Sequence, residues 1–265
     1  MSRKRQSPAD EKHYLIRTLV ARFRDGASIA PHAHEWGQLI YAATGLMSVS
    51  TEQGSWVAPP HWAVWAPAGI SHAMRFTGET SLKTLYLRPG RWRQLPAKST
   101  VVTVSPLLRE LIARAVLAGM LDDREPVHRA MATLIIDEFR TRSTPGLDLP
   151  FPTAPLLRRV ADHLAQAPAD RSAHHVVARH FGIGTRSLER GFESETGMPL
   201  GRWRKQARLL FALRVLGAGG AVKHVALAAG YRSTSAFIAA FRSTLGTTPT
   251  QYFAASQTPG DFSTR

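Results

Sequence analysis

The chain has 265 residues, no cysteine and a formal net charge of +15. The lack of cysteine excludes disulfides, thiol nucleophiles and thiolate metal sites, and it fits a reducing compartment such as the cytoplasm. The strong positive charge favours a polyanionic partner, above all nucleic acid, with simple solubility as the alternative. Hydrophobic residues make up 44%, enough for a core, but no apolar run reaches the roughly 18 residues of a membrane span.

Residues 1–12, MSRKRQSPADEK, are basic and no apolar stretch follows them. They predict a short disordered tail rather than a secretory signal. Residues 13–98 predict strands, because short apolar and β-branched segments alternate with Gly and Pro. These segments are Gln38–Ala43, Met47–Thr51, Trp62–Ala66 and Leu82–Leu87. Their spacing is typical of a small antiparallel barrel or sandwich.

Residues 99–143 change to a helical period. Ser105 and Pro106 form a good helix start, with Ser as the N-cap and Pro at the first helical position. The apolar stripe that follows is Leu107, Leu108, Leu111, Ile112, Ala115 and Val116. A second helix is predicted over Pro126–Arg142, with Met131, Leu134, Ile135 and Phe139 on one face. We interpret the pair as connector helices that either form a dimer contact or pack within the chain.

Residues 144–155, TPGLDLPFPTAP, are rich in proline and lack any period, which predicts a linker and a domain boundary. Residues 156–255 look helical throughout, and 256–265 form a second tail. From Thr153 to Phe253 there are 14 Lys and Arg against 5 Asp and Glu, a net charge of +9. More than half of the excess positive charge therefore lies in the helical domain.

A repeat runs through this domain. ARHFGIGTRSLERGFESETG begins at Ala178, and ALAAGYRSTSAFIAAFRSTLG begins at Ala226. In each copy the Ala suits a close helix contact, and a Gly four residues later, Gly182 or Gly230, suits the turn. The pattern predicts two helix-turn-helix (HTH) units, at about residues 173–195 and 222–244. A bare helical hairpin is the alternative.

In the second helix of each unit, two apolar residues four positions apart are expected to be buried: Leu188 and Phe192, and Phe237 and Phe241. The residues on the opposite side of each helix then face outward. In the first unit these are Thr185, Arg186, Ser187, Glu189 and Arg190. In the second unit Ser233 is a good N-cap, and Thr234, Ser235, Ile238, Ala239 and Arg242 face outward. Arg can pair with guanine, and Glu can accept from the cytosine amino group. We therefore expect base contacts mainly from the first unit, and phosphate, methyl and shape contacts from the second; a solvated helix face is the alternative for the arginines.

Residues 200–220 between the units predict one amphipathic helix, with Leu209, Leu210, Leu213 and Leu216 as its buried stripe. Arg202, Arg204 and Lys205 crowd its start, where we expect them to contact DNA phosphates. Such a rod would separate the two recognition helices by about 34 Å, so that they enter successive major grooves.

The region from about Leu156 to Phe253 resembles the DNA-binding domain of the AraC/XylS family of bacterial transcription regulators. The resemblance lies in LERGFESETGMPLGRWRKQARL and in HVALAAGYRSTSAFIAAFRSTLGTTPTQYF. It implies recognition positions at Arg186, Glu189 and Arg190, and at Thr234, Ser235 and Ala239. Gly184 departs from the Ser that the family often has as helix N-cap, although Gly is an acceptable cap.

The N-terminal domain resembles a cupin. The first cupin motif is Gly, five residues, His-x-His, three or four residues, Glu, six residues and Gly; Gly26, His32, His34, Gln38 and Gly45 fit these intervals. Gln38 replaces the usual Glu. PAGISH, ending at His72, corresponds to part of the second motif, whose leading Gly and closing Asn are replaced by His61 and Phe76.

The resemblance implies a pocket for a small-molecule effector. Its candidate residues are His32, His34, Trp36, Gln38, Tyr41, Trp65 and His72, although the aromatic residues equally fit an ordinary core. His32, His34 and His72, with Gln38, are candidate ligands for a divalent transition metal. A neutral carboxamide is a weaker ligand than a carboxylate. The alternatives are a metal in a sensing pocket, a catalytic metal, or a metal-free pocket.

Together these features predict an α+β chain of two domains. The first is a small antiparallel cupin-like β-barrel with connector helices, and the second is all-α, with two HTH units joined by a long helix. The predicted function is a one-component transcription regulator, not an enzyme, in the bacterial cytoplasm. Its predicted partners are double-stranded promoter DNA, an effector and a second copy of the chain; RNA polymerase is a further candidate. The alternatives are a metal-dependent cupin enzyme with a DNA-binding tail, and a constitutive DNA binder with a structural barrel.

Overall fold

The computed structural model describes residues 12–59, 62–140 and 148–255, and the predicted tails at 1–12 and 256–265 lie almost wholly outside them. The N-terminal part is one antiparallel sheet and the C-terminal part is helical, as predicted. The strands are β1 (Tyr14–Phe23), β2 (Ser28–His32), β3 (Gly37–Thr51), β4 (Gly54–Ala58), β5 (Trp62–Ala66), β6 (His72–Leu87), β7 (Thr100–Thr103), β8 (Met120–Asp122) and β9 (Asp148–Pro150). The helices are α1 (Pro106–Ala118), α2 (Pro126–Arg140), α3 (Pro155–Gln166), α4 (His174–His180), α5 (Thr185–Thr196), α6 (Leu200–Gly217), α7 (Val222–Ala228), α8 (Thr234–Leu245) and α9 (Pro249–Ala255).

Two long strands, β3 and β6, pair with each other along most of their length and organise the sheet. The segments predicted as separate strands at 38–43 and 47–51 are one strand, with register shifts between Ala42 and Leu46. Gln38 contacts both His72 at the start of β6 and Tyr86 near its end. Because a straight strand would hold those residues about 45 Å apart, the sheet must bend round on itself, as a barrel requires.

The two faces of the sheet bury different cores. Ile40, Val64 and Phe76 lie in the interior cluster, which continues into the helical domain. Leu39 and Leu85 point to the opposite face, where α1 and α2 cover them. This division follows from the two-residue period of a strand.

The connector helices start as predicted, at Pro106 and Pro126, and the Ser105 hydroxyl caps α1 by accepting a hydrogen bond from the Leu108 backbone N–H at 3.0 Å. Two residues of the predicted stripes, Leu107 and Leu134, are exposed, so the prediction was wrong for both. The buried stripe of α1 consists of Leu108, Leu111, Ile112 and Ala115. It is narrower than predicted because the sheet and α2 together cover only one side of the helix. The predicted end of α2 at Arg142 lies outside the described residues.

The boundaries of the sheet domain differ from the prediction. β7 and β8, within the predicted connector, pair with β5 and β1 and so belong to the sheet. Within the predicted linker at 144–155, β9 pairs with β4. The Trp203 indole N–H donates to the Pro150 carbonyl at 2.6 Å, which attaches this strand to α6. Residues 148–150 of the proline-rich segment are therefore packed between the sheet and α6.

The helical domain is built around α6. Its predicted stripe of Leu209, Leu210, Leu213 and Leu216 is buried, as is Trp203. α4 and α5 pack on one part of this core, and α7 and α8 pack on another. No described helix combines the length and the apolar character needed to cross a membrane.

Candidate DNA interface and sensor pocket

The first HTH unit consists of α4 and α5. Ala178 is buried at the contact between them, and Gly182 reverses the chain with φ +66°. Leu188 and Phe192 are fully buried on the inner face of α5. The opposite face presents the exposed side chains of Arg186, Ser187 and Arg190, with Thr185 half-buried at the helix start. α5 therefore has the basic outward face that the sequence predicted.

Glu189 differs from its neighbours on this face. Its carboxylate lies 2.7 Å from Nδ1 of His174, which is at the start of α4. The side chain remains half exposed. The contact orients the carboxylate from within the unit, and its predicted role as an acceptor for cytosine stays a prediction.

The second HTH unit consists of α7 and α8, with Ala226 buried and Gly230 at the turn with φ +79°. The Ser233 hydroxyl accepts from the Ala236 backbone N–H at 3.1 Å, so Ser233 caps α8 as predicted. The outward residues divide into two groups. Ser235, Ala239 and Arg242 are exposed, whereas Thr234 and Ile238 are half-buried and Ile238 packs against the core.

The basic residues at the start of α6 do not share one role. Arg202 and Lys205 are exposed, but Arg204 is buried. Its guanidinium donates to the backbone carbonyls of Ser172 at 2.6 Å and Asp170 at 2.8 Å. The prediction that Arg204 contacts DNA phosphate was wrong, because the helix rotation turns it toward the loop between α3 and α4.

This loop, residues 168–172, contacts several parts of the domain. One turn after Arg204, Arg208 donates to the carbonyls of Pro168 at 3.0 Å and Asp170 at 2.7 Å. The turn of the second HTH unit also touches it, since a Cβ on Gly230 would lie 2.8 Å from the Pro168 carbonyl oxygen. Arg204 and Arg208 therefore donate hydrogen bonds to the backbone carbonyls of the loop at 168–172, and the second HTH unit packs against the same loop.

In the sheet domain, His32, His34 and His72 converge. Their ring centroids lie 4.6–5.4 Å apart, and one nitrogen from each lies within 4.8 Å of the others. The register between β2 and β6 places His32 opposite His72. Nδ1 of His32 lies 2.8 Å from the Ala30 carbonyl, and Nδ1 of His72 lies 2.9 Å from the Ile70 carbonyl. Because a carbonyl only accepts, both Nδ1 atoms donate, which leaves the Nε2 lone pairs free to bind a ligand.

The remaining polar atoms around these rings include acceptors and an unpartnered imidazole nitrogen, the kinds of atom that can bind a cation. Oε1 of Gln38 lies 2.8 Å from Nε2 of His72, and the Gln38 amide nitrogen donates to the Tyr86 hydroxyl at 3.3 Å. Oε1 is an acceptor, so this contact is favourable when a proton on Nε2, or a cation bound by both atoms, lies between them. Nε2 of His34 is buried and has no hydrogen-bond partner among the described residues. Burial lowers the pKa of both His34 and His72, which favours the neutral form that binds metals.

A cavity of about 580 Å³ opens beside the histidines. It is lined by His34, Trp36, Arg17 and Tyr86, among others, and the Arg17 guanidinium lies 4.3 Å from the centre of the Trp36 ring. We call this cavity, with the three histidines and Gln38, the sensor pocket. Arg17 and Tyr86 were missed by sequence reasoning, because only the register reveals that both are aligned with Gln38 across three strands.

Two residues predicted for this pocket are elsewhere. Tyr41 and Trp65 are buried on the other face of the sheet, and Trp65 makes an edge contact with Phe139 of α2 at 5.1 Å. The Trp65 indole donates to the Pro96 carbonyl at 2.8 Å. Tyr41 is three residues from Gln38 along β3, so the alternation of a strand places the two side chains on opposite faces. The alternative interpretation of these aromatics as core is correct.

Residues 15–136 match the family described as AraC-like ligand binding domain, and residues 177–255 match a family described as helix-turn-helix domain. The HTH-type transcriptional regulator NimR of Escherichia coli (strain K12) is 34% identical over 223 residues, covering 84% of this chain and 81% of NimR. The HTH-type transcriptional regulator RipA of Corynebacterium glutamicum is 32% identical over 103 residues, covering 39% of this chain and 31% of RipA.

The chain also resembles solved structures. ToxT from Vibrio cholerae matches over 92% of this chain and 100% of its own, with 9% identity and a TM-score of 0.40. A DNA-binding transcriptional dual regulator from Escherichia coli K-12 matches over 37% of this chain and 93% of its own, with 26% identity and a TM-score of 0.34. Both superpositions are loose. The two curated relatives are named as regulators, and the matches give no support to the enzyme alternative.

Proposed function

Because this chain belongs to the AraC family of HTH-type transcriptional regulators, we propose that its two HTH units read DNA through the exposed faces of α5 and α8. The observation that carries the proposal is the exposed row of Arg186, Ser187 and Arg190 opposite a fully buried Leu188 and Phe192. Arg side chains on such a face can donate bidentately to guanine in the major groove. The exposed face of α8 has one cation, Arg242, and otherwise small side chains, which suit backbone contacts and close approach.

The test is selection of duplexes from a random-sequence library by the full chain, followed by sequencing. We expect an enriched motif with two parts about one helical turn apart, corresponding to the two units. In the Arg190→Ala variant we expect the base preference to weaken at one position, in only one of the two parts of the motif. Enrichment of a single short motif, or of none, would contradict reading by both units.

We propose that the sensor pocket binds the effector together with a divalent transition metal. The metal would be held by His32, His34 and His72, with the Gln38 oxygen as a weak fourth ligand. It would supply a Lewis-acidic contact for an oxygen or nitrogen of the effector. Arg17 and Tyr86 add a cation and a hydroxyl to the same pocket, so a small polar or anionic effector fits better than an apolar one.

Metal binding is tested by calorimetry of the full chain with Zn²⁺ and Co²⁺, after treatment with a chelator. We expect one ion per chain for the wild type and none for His72→Ala. A tetrahedral Co²⁺ absorption spectrum would give a second readout, independent of effector binding. Equal binding by wild type and His72→Ala would place the ion elsewhere, and a lack of binding by the wild type would leave the metal-free pocket.

We also propose that the connector helices form a homodimer contact. Leu107, Leu117, Val127 and Leu134 are exposed apolar residues on α1 and α2. Sedimentation of a Leu117→Glu, Leu134→Glu double variant is expected to give a monomer, whereas Leu227→Glu on α7 is the control and keeps the dimer. A wild-type monomer, free and on DNA, would contradict the proposal. RNA polymerase as a partner stays a prediction.

A further inference from the structure

The first helix of the first HTH unit, α4, begins at His174, and the ring of this residue reaches both of the next two helices. Its Nδ1 lies 2.7 Å from Oε1 of Glu189 on α5. Its Cε1–Nε2 edge faces the start of α6, where a Cβ on Gly201 would lie 3.7 Å from Cε1 and 3.9 Å from Nε2. The side chain is 30% exposed. The ring is therefore held between α5 and α6, in space that the lack of a side chain at Gly201 leaves open.

The hydrogen bond between His174 and Glu189 has only one possible direction. An ionised carboxylate only accepts, so Nδ1 of His174 carries the hydrogen and donates it. This bond occupies Oε1, and no other residue in 12–59, 62–140 or 148–255 donates to the Glu189 carboxylate. Half of the Glu189 side chain is exposed, on the same face of α5 as the arginines. Oε2 is therefore left as an acceptor on the outward face.

Arginines on α5 are the natural competitors for this carboxylate. Arg186 is three residues before Glu189, and residues at that spacing are neighbours on a helix surface. Among the described residues, however, the ion pair of Glu189 is with His174. Arg186 and Arg190 are both exposed, and neither is paired with an acidic residue in the described part of the chain. The contact with His174 thus leaves both guanidinium groups available to DNA.

We propose that His174 is a positioning residue for base recognition, which holds Glu189 so that its Oε2 accepts from the amino group of one cytosine. The inference rests on the proposed reading of DNA by α5. Cytosine fits best because its major-groove edge offers a donor and no acceptor, whereas adenine places the acceptor N7 beside its amino group. A carboxylate that is already held loses little side-chain freedom on binding, so its hydrogen bond contributes more to the preference for cytosine. His174 acts through Glu189 and contacts no base itself.

The test uses two substitutions of His174 in the full chain. Leu and Asn have nearly the same shape, but only Asn places an N–H donor where Nδ1 of His174 lies. His174→Leu therefore removes the donor, and His174→Asn retains one. His175→Leu is the matched control, because His175 is the neighbouring histidine on α4 and is exposed. Each variant is measured by fluorescence anisotropy competition between the duplex selected by the wild type and duplexes changed at single base pairs.

The position that Glu189 reads is identified first. We expect Glu189→Ala to lower the preference for C·G over T·A at one position by at least about fivefold. His174→Leu should lower the preference at that same position by a similar factor, whereas His174→Asn should retain most of it and His175→Leu all of it. In the Glu189→Ala background, His174→Leu should cause no further loss, because the two residues act as one unit.

A purely structural role for His174 would give a different result. His174→Leu would then lower the urea midpoint and weaken binding to all duplexes by one factor, with the preference at the Glu189 position intact. That result refutes the inference, as do additive losses in the double variant or a His174→Asn variant that behaves like His174→Leu. It is also refuted if Glu189→Ala changes no position while Arg190→Ala still does. Failure of the proposed function is distinct, since neither Arg190→Ala nor Glu189→Ala would then change a base preference.

Discussion

Substitution of Arg204 tests whether the basic residues at the start of α6 have different roles, with the buried Arg204 stabilising the fold and the exposed Arg202 contacting DNA. In Arg204→Ala the carbonyls of Ser172 and Asp170 lose two charge-assisted hydrogen bonds of 2.6 and 2.8 Å. Hydrogen bonds to a charged group contribute about 1.5–3 kcal/mol each to stability, net of the exchange with water, and we take the lower end because water can reach the freed carbonyls in the variant. We therefore expect the free energy of unfolding to fall by roughly 3 kcal/mol, which lowers the urea midpoint by about 1–2 M.

The assay is urea unfolding followed by circular dichroism at 222 nm, which reports the helices. Arg202→Ala is the matched control, because Arg202 is the same residue type two positions earlier and is exposed. The unfolding free energy of Arg202→Ala should change by less than about 0.5 kcal/mol. The slope of its log DNA affinity against log salt concentration should become shallower by about one unit. If Arg204→Ala instead unfolds like the wild type and loses the salt slope, Arg204 is a phosphate contact and our reasoning about its burial is wrong.

Three further predictions follow from the site geometry. Arg186→Ala should weaken the free energy of specific DNA binding by about 1–3 kcal/mol and reduce the base preference at one position. Both are measured by competition between duplexes in fluorescence anisotropy. An equal loss of affinity for every sequence would contradict base reading by Arg186. Gly230→Ala should destabilise the chain more than Gly182→Ala, for which about 1–2 kcal/mol is expected from the left-handed backbone alone. Only the Cβ at 230 meets the Pro168 carbonyl, at 2.8 Å, and equal urea midpoints for the two variants would contradict this. Gln38→Glu should tighten Zn²⁺ binding by roughly tenfold, the scale of changes near a metal; unchanged affinity would exclude residue 38 from the ligand set.

The helical domain was largely predictable because its signals are local. The repeated Ala and Gly spacing predicted both HTH units, and the structure places Gly182 and Gly230 at the turns with positive φ. The Ser105 and Ser233 caps also need only their own neighbours. Local rules of this kind can be read without knowing any tertiary contact.

The errors lie where the outcome depends on distant residues. Arg204 looks in sequence like Arg202, and only the rotation of α6 against the loop at 168–172 separates a buried arginine from an exposed one. Trp65 could be assigned to the outer face only through its register with Leu39. Arg17 and Tyr86 became pocket residues through strand pairing across β1, β6 and β3, for which the sequence contains no short-range signal.

The loop at 168–172 has a consequence for operator architecture. Both α6 and the turn at Gly230 contact this loop. The loop therefore helps to fix the separation of the two recognition helices, although it belongs to neither of them. Inserting one base pair between the two recognised segments would move them about 3.4 Å apart and rotate them by about 34°. The domain can follow such a change only by giving up loop contacts or by bending the DNA. In natural operators of this regulator, the number of base pairs between the two recognised segments should therefore be nearly constant. The sequence of those base pairs should be free to vary.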